Sequence, residues 1–236
     1  MSEDVAAALS LAAVFSRLAG TSVGLGPEAA RTLLASQVGA ALGARQPVAD
    51  ATFDALLPHP LRAMSRVHWT PMRVAVRCAE LLVQAPDSRV LDIGSGVGKL
   101  CCVGALTTRA EFVGVEQYPG LVDAARQVAS LLGASSASFI HGSFEQVDPA
   151  DYDAFYLYNP FEENDWRRPP HLAASEPGAR TTFQQGVRDA RRFLAAARPG
   201  ARVVTYNGMG GPMATGYSRS HRETLGRVID VWTKDT

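Results

Sequence analysis

The sequence predicts an α/β protein: a doubly wound, mostly parallel seven-stranded sheet behind a helical N-terminal segment. Three observations predict it. From residue 89 onward, short apolar runs alternate with segments of helical period. The first such run passes directly into a glycine-rich turn, Gly94-Ser95-Gly96-Val97-Gly98, that opens an apolar helix. Residues 1–85, by contrast, show helical spacing throughout. Alternating β and α units of this length favour parallel strands with helices on both faces.

In chain order, Val5 and Leu9, then Leu11, Phe15 and Leu18, recur at helical spacing. Gly20 to Pro27 interrupts the pattern, and Pro27 suits the first turn of a helix that carries Leu33, Leu34, Val38 and Leu42 on one face. Pro47, Pro58 and Pro60 divide the next stretch into short pieces. Thr70-Pro71 reads as a capping hydroxyl followed by proline at the first helical position, starting a helix through Val74, Cys78 and Leu81 to about Gln84. Strands follow at 89–93, 111–116, 137–142, 153–158 and 202–206, with helices from about Leu100, over 122–132, and through Phe183, Val187, Ala190, Leu194 and Ala197. The tail suits two last strands, at 217–222 and 227–234. The division expected is a helical segment over 1–69, acting as a lid or dimer surface, and an α/β domain over 70–236.

Bulk composition narrows the partners. Of 236 residues 47% are hydrophobic, enough for a sizeable core. Lys+Arg and Asp+Glu both number 23, and this neutral balance disfavours a nucleic-acid backbone as the main partner. The three cysteines form no CxxC or Cys/His spacing, so reduced thiols, no metal and a cytoplasmic location are expected. Glu3 and Asp4 stand where a secretion signal needs positive charge, and no apolar run approaches membrane-spanning length.

The sharpest signal is VLDIGSGVGKL at 90–100, a strand feeding a glycine turn that opens a helix. Open α/β sheets make ligand crevices at such places. Gly94, Gly96 and Gly98 permit tight turning and close backbone approach, and Asp92 at the strand end suits a ligand amino group. A phosphate-binding P-loop would need glycine where Ile93 stands and Ser or Thr where Leu100 stands, so that reading fails. A dinucleotide fingerprint would put its third glycine on Lys99, which weakens that reading without removing it. Glu116 ends the second strand, placed to accept a ribose hydroxyl pair, a device that dinucleotide enzymes share.

DIGSGVG matches the E/D-x-G-x-G-x-G motif at every defining position, and from about residue 70 the chain resembles class I S-adenosylmethionine-dependent methyltransferases. That resemblance implies S-adenosyl-L-methionine as cofactor, with Asp92, Gly94 and Gly96 around its methionine part, Glu116 on its ribose, and Ser95 and Gly98 also in the cofactor site. It also implies Gln117 beside the adenine. Ser143 stands where the family commonly has an acidic residue, and Phe144 is expected to pack on the adenine ring. DIGSGVGK, GVE and YNPFEEN show a looser similarity to non-SET histone-lysine methyltransferases, whose long basic segment is absent.

Tyr158-Asn159-Pro160-Phe161 ends the fourth strand and resembles the N-P-P-Y/F motif of enzymes that methylate amide or exocyclic nitrogens, lacking its second proline. An amide and a proline-fixed carbonyl there would orient a planar nitrogen, with Asn159 also beside the cofactor and Phe161 stacked on the acceptor. A proline-ended strand with Asn159 as helix cap explains the same residues. Glu162, Glu163, Asp165 and His171 follow as candidate bases. The expected activity is methyl transfer to nitrogen, less readily oxygen, of a small-molecule or protein acceptor, with a homodimer through the N-terminal helices. The alternatives are a nicotinamide-dependent oxidoreductase and a non-catalytic S-adenosylmethionine-binding module.

Overall fold

The computed structural model describes residues 26–158 and 183–236. The helical spacings at 5–18, Asn159, Pro160 and Phe161, and the candidate bases after them lie outside the described residues. Five strands run parallel: β1 (Arg89–Ile93), β2 (Glu111–Glu116), β3 (Ala137–His141), β4 (Ala154–Leu157) and β5 (Arg202–Tyr206). Two more, β6 (Tyr217–Leu225) and β7 (Arg227–Lys234), close the sheet in antiparallel pairing, giving the order β3-β2-β1-β4-β5-β7-β6. The expected sheet is therefore present, with β6 three residues longer than its sequence pattern suggested.

Strand periodicity sorts β1 between two cores. Val90 and Asp92 face one side, Leu91 and Ile93 the other. The first side is covered by α1 (Pro27–Gly43), α5 (Met72–Leu82), α6 (Lys99–Thr107) and α7 (Pro119–Leu132). Between α1 and α5 run three short turns of helix, α2 (Asp50–Asp54), α3 (His59–Arg62) and α4 (Ser65–His68). Phe53, Leu56 and Leu57 of this stretch join the same core. The second side holds α8 (Phe183–Ala195), with Met209 and Ala214 from the segment after β5.

The chain turns from β1 toward β2 on one flank, while β4 pairs on the other. The carboxyl ends of β1 and β4 thus diverge at a topological switch point, where open α/β sheets leave a crevice. The start of α5 departs from the expectation. Pro71, not Thr70, is the cap residue, and the first helical N–H, from Met72, donates to Asp50 Oδ1 at 2.9 Å. Thr70 is buried with its Oγ1 3.0 Å from the Tyr156 hydroxyl of β4. A carboxylate brought in by tertiary structure serves the helix end, which frees the threonine for the sheet.

α1 crosses α7 where Gly39 meets backbone: a Cβ there would stand 2.6 Å from the Leu132 carbonyl oxygen. Gly39→Ala should lower stability by about 1–3 kcal/mol. Urea unfolding should show this as a lower midpoint at unchanged slope.

Candidate active site

The three glycines of the loop all take left-handed backbone, at φ 75, 55 and 72 for Gly94, Gly96 and Gly98. Side chains are strained there, which explains the residue choice. The close approaches at two of them are internal. A Cβ on Gly96 would lie 2.7 Å from the Trp69 ring, and one on Gly98 2.5 Å from the Phe139 ring. Gly98 therefore seats α6 against β3, a packing role not distinguished by the motif alone.

Backbone N–H groups hold the loop to β2. Gly94 and Ser95 both donate to the Val115 carbonyl, at 3.0 and 3.1 Å. Gly96 N donates to Glu116 Oε2 at 2.9 Å, and Tyr118 N donates to Glu116 Oε1 at 3.0 Å. Glu116 is only 6% exposed. Burial pushes its carboxyl above the usual range, and these N–H bonds pull it back. It bridges the glycine loop to the start of α7 and keeps lone pairs free for a hydroxyl-bearing ligand.

Asp92 is 4% exposed and faces α6, where the Cys101 thiol donates to its Oδ2 at 3.6 Å. Burial pushes its carboxyl up to about 7, with the Glu116 charge adding to the effect. Asp92, Gly94, Ser95, Trp69, Tyr156 and Tyr158 line a crevice at the switch point. Ser95 Oγ is buried there with no hydrogen-bond partner among the described residues.

The residues expected near an adenine gather at the ends of β2 and β3. His141 Nε2 lies 3.2 Å from the Gln117 carbonyl. Ser143 Oγ accepts from Glu145 N at 3.3 Å, so this hydroxyl caps a short 3-10 turn, Phe144–Gln146. The Phe144 ring meets Phe193 of α8 edge-on at 5.3 Å. Both side chains thus have structural partners of their own and stay partly exposed.

Lys99, the first residue of α6, was not marked by sequence reasoning as part of the site. It is 2% exposed, with Nζ 2.8 Å from Asp54 Oδ1 and 3.1 Å from Asp50 Oδ1. The Asp54 contact is ionic rather than an aligned hydrogen bond. Nζ also donates to Ser65 Oγ at 3.3 Å and lies 5.3 Å from the Phe53 ring centre. A cation at a helix N-terminus is unfavourable. That anomaly, with carboxylates four residues apart at Asp50 and Asp54, was the available signal. The cluster pins α2 and α4 beneath the loop, while Trp69 covers Gly96 and donates its Nε1–H to the Leu61 carbonyl at 3.2 Å.

Two measurements check this electrostatic layout. Lys99→Met should cost about 3 kcal/mol, because Asp54 is left nearly buried without a counter-charge. Replacing Asp54 with Leu as well should recover much of the loss, read by denaturant titration. Asp92→Asn tests the buried carboxyl. Its folded pKa of about 7 exceeds the ordinary 3.8, so its ionisation costs stability increasingly as pH rises between these values. The variant should be more stable than the parent by roughly 2–4 kcal/mol near pH 8, with the advantage lost below about pH 4.

A methyltransferase domain family model matches residues 84–160, the segment from the approach to β1 through the end of β4. The 23S rRNA (uracil(1939)-C(5))-methyltransferase RlmD of Klebsiella pneumoniae (strain 342) is 40% identical over 67 residues, which are 28% of this chain and 15% of that protein. The chain thus spans only a small part of that relative. Among solved structures, an RNA methyltransferase from Salinibacter ruber, in complex with S-adenosyl-L-homocysteine, superposes with TM-score 0.53 at 24% identity, covering 70% of this chain and 93% of its own. The mitomycin 7-O-methyltransferase MmcR gives TM-score 0.52 at 16% identity, covering 84% of this chain and 60% of its own. At these identities the structures speak for the fold, and their names span RNA and a small-molecule oxygen as acceptors. The sheet thus has the Rossmann-like fold of these methyltransferases, and residues 84–160 within it match the methyltransferase domain model.

Proposed function

We propose that the chain transfers the methyl group of S-adenosylmethionine to a nitrogen of a small-molecule or protein acceptor. The observation that carries the donor half is the pairing of two buried carboxylates, Asp92 and Glu116, near the carboxyl ends of adjacent parallel strands around one glycine loop. The donor set fits the cofactor: an acidic group for its amino group, an acceptor for its ribose hydroxyls, and a buried hydroxyl, Ser95 Oγ, without a partner among the described residues. Bound there, S-adenosylmethionine supplies an electrophilic methyl on a sulfonium.

The roles of the chain's own residues follow from their places. Asp92 is costly to ionise alone, and a cationic amino group alongside it favours the charged form. Glu116 accepts hydroxyl protons while its backbone N–H partners hold it still. Gln117, Ser143 and Phe144 border the adenine in this reading. On the acceptor side, Tyr158 ends β4 at the crevice wall, and Asn159, Pro160 and Phe161 continue from it to orient a planar nitrogen. The nitrogen lone pair forms the new N–C bond as the C–S bond breaks, so positioning does most of the catalytic work. A base is required only when the acceptor arrives protonated.

The nitrogen preference rests on the Asn159-Pro160-Phe161 motif, and the small-molecule or protein acceptor rests on the neutral charge balance. The RNA acceptors in two relatives' names run against the second inference. Helices over 27–69 act as a wall or lid in this proposal, and a homodimer through them is checked by sedimentation equilibrium. No helix among the described residues is long and apolar enough to cross a membrane.

Calorimetry tests the donor site. S-adenosylmethionine should bind, and Asp92→Ala and Glu116→Ala should each weaken it by about tenfold or more. Unchanged affinity in both variants would refute the site, and NADH binding in its place would favour the oxidoreductase alternative. Transfer of a radiolabelled methyl into fractionated lysate separates an enzyme from a binding module.

A further inference from the structure

Past Tyr158 the crevice opens onto a lip formed by β5, α5 and the β6–β7 turn. The half-buried Tyr158 ring packs 4.9 Å from the Tyr206 ring at the end of β5. Tyr206 donates its hydroxyl to the Leu225 carbonyl at 3.3 Å, where β6 ends. The single residue between β6 and β7 is Gly226, at φ 78. A Cβ on it would stand 3.4 Å from both Arg73 Nη2 and Tyr206 Oη, so the Arg73 guanidinium and the tyrosine hydroxyl flank the turn. Arg227 follows immediately, and its positive charge partly offsets the rise that burial imposes on both tyrosine hydroxyls.

Charge balance singles out this lip. Arg73 and Arg227 are both exposed, and among the described residues neither guanidinium has an ion-pair or hydrogen-bond partner. The described carboxylates nearby, Glu223 and Asp230, are committed elsewhere. Glu223 takes both hydrogen bonds of an Arg77 fork, at 2.7 and 3.0 Å, one helical turn from Arg73. Asp230 is shared by Arg219 and Arg222. Two cations without a counter-charge among the described residues, beside a tyrosine pair at the edge of a methyl-donor crevice, match an anion that arrives with the acceptor.

We propose that the lip selects a planar small-molecule acceptor bearing a carboxylate or phosphate, held by Arg73 and Arg227 so that its reacting nitrogen passes Tyr158 into the crevice. This rests on the crevice being the methyl-donor site. Two guanidiniums suit one anionic group, whereas a nucleic-acid backbone is gripped through many phosphates.

The test uses protein saturated with S-adenosylhomocysteine and three ring probes followed by NMR titration: benzoate, phenyl phosphate and neutral benzamide. At least one anionic probe should bind about tenfold more tightly than benzamide, and the tighter of the two identifies the group. In Arg73→Gln/Arg227→Gln the preference should vanish while S-adenosylhomocysteine affinity and melting temperature stay those of the parent. Equal binding of all three probes by the parent, or a preference that survives the double substitution, overturns the proposal. So does a ten-nucleotide RNA that binds more tightly than phenyl phosphate through the same arginines. If the parent takes no S-adenosylhomocysteine, the donor site itself falls, an outcome read before any probe is added.

Discussion

A lysine ammonium cannot stay charged in a protein interior unless carboxylates and dipoles replace the water it has lost, because an isolated buried charge costs many kcal/mol. Lys99 meets that requirement by drawing in Asp50, Asp54 and Ser65 from a stretch of chain some fifty residues upstream. The consequence is geometric. The helical turns that supply these groups are fixed against the first turn of α6, directly below the glycine loop. Trp69 then lies against Gly96, and Thr70 reaches Tyr156 on β4. Asp50 serves twice, since it also takes the first N–H of α5. One buried cation thereby organises the wall of the crevice.

The two buried carboxylates, Asp92 and Glu116, occupy adjacent strands but meet different hydrogen-bond donors. Burial raises the Glu116 carboxyl, and the backbone N–H donors around it offset part of that rise. Asp92 has a single weak thiol donor and an apolar helix opposite, so burial dominates. One buried carboxylate held by N–H donors and one that gains from a cation suit a ligand with hydroxyls at one end and positive charge at the other. Both lie on one sheet face, since Asp92 pairs with Gly114 and Glu116 stands two residues further along β2; the difference comes from their neighbours, the Cys101 thiol for Asp92 and the loop N–H groups for Glu116.

Acceptor choice is separable from this donor machinery. The same fold carries RNA and mitomycin methyltransferases by name, so the sheet and the loop do not select the acceptor. In the proposed function, selection falls to elements around the crevice: the upstream helices, the end of β4 and the β6–β7 hairpin. The hairpin also protects the sheet. β6 is mostly exposed, and its Arg219, Arg222 and Glu223 occupy ion pairs along a bulged strand, a combination that discourages edge pairing with other chains.

Sequence by itself determined what is local and periodic. Apolar runs marked the strands because burial on both sheet faces demands them, and VLDIGSGVGKL announced a crevice because strand, glycine turn and helix are contiguous. Asp92, Glu116 and the loop glycines were legible for the same reason. Tertiary structure alone decided whatever joins distant segments. It placed Lys99 on Asp50 and Asp54, moved Thr70 from helix cap to a hydroxyl pair with Tyr156, and set Gly98 against Phe139. It also brought Arg73 and Arg227 to one lip across more than 150 residues of chain. Such contacts have no sequence period. A buried charge or hydroxyl accepts whichever partner the packed core presents, and that partner exists only once the core has formed.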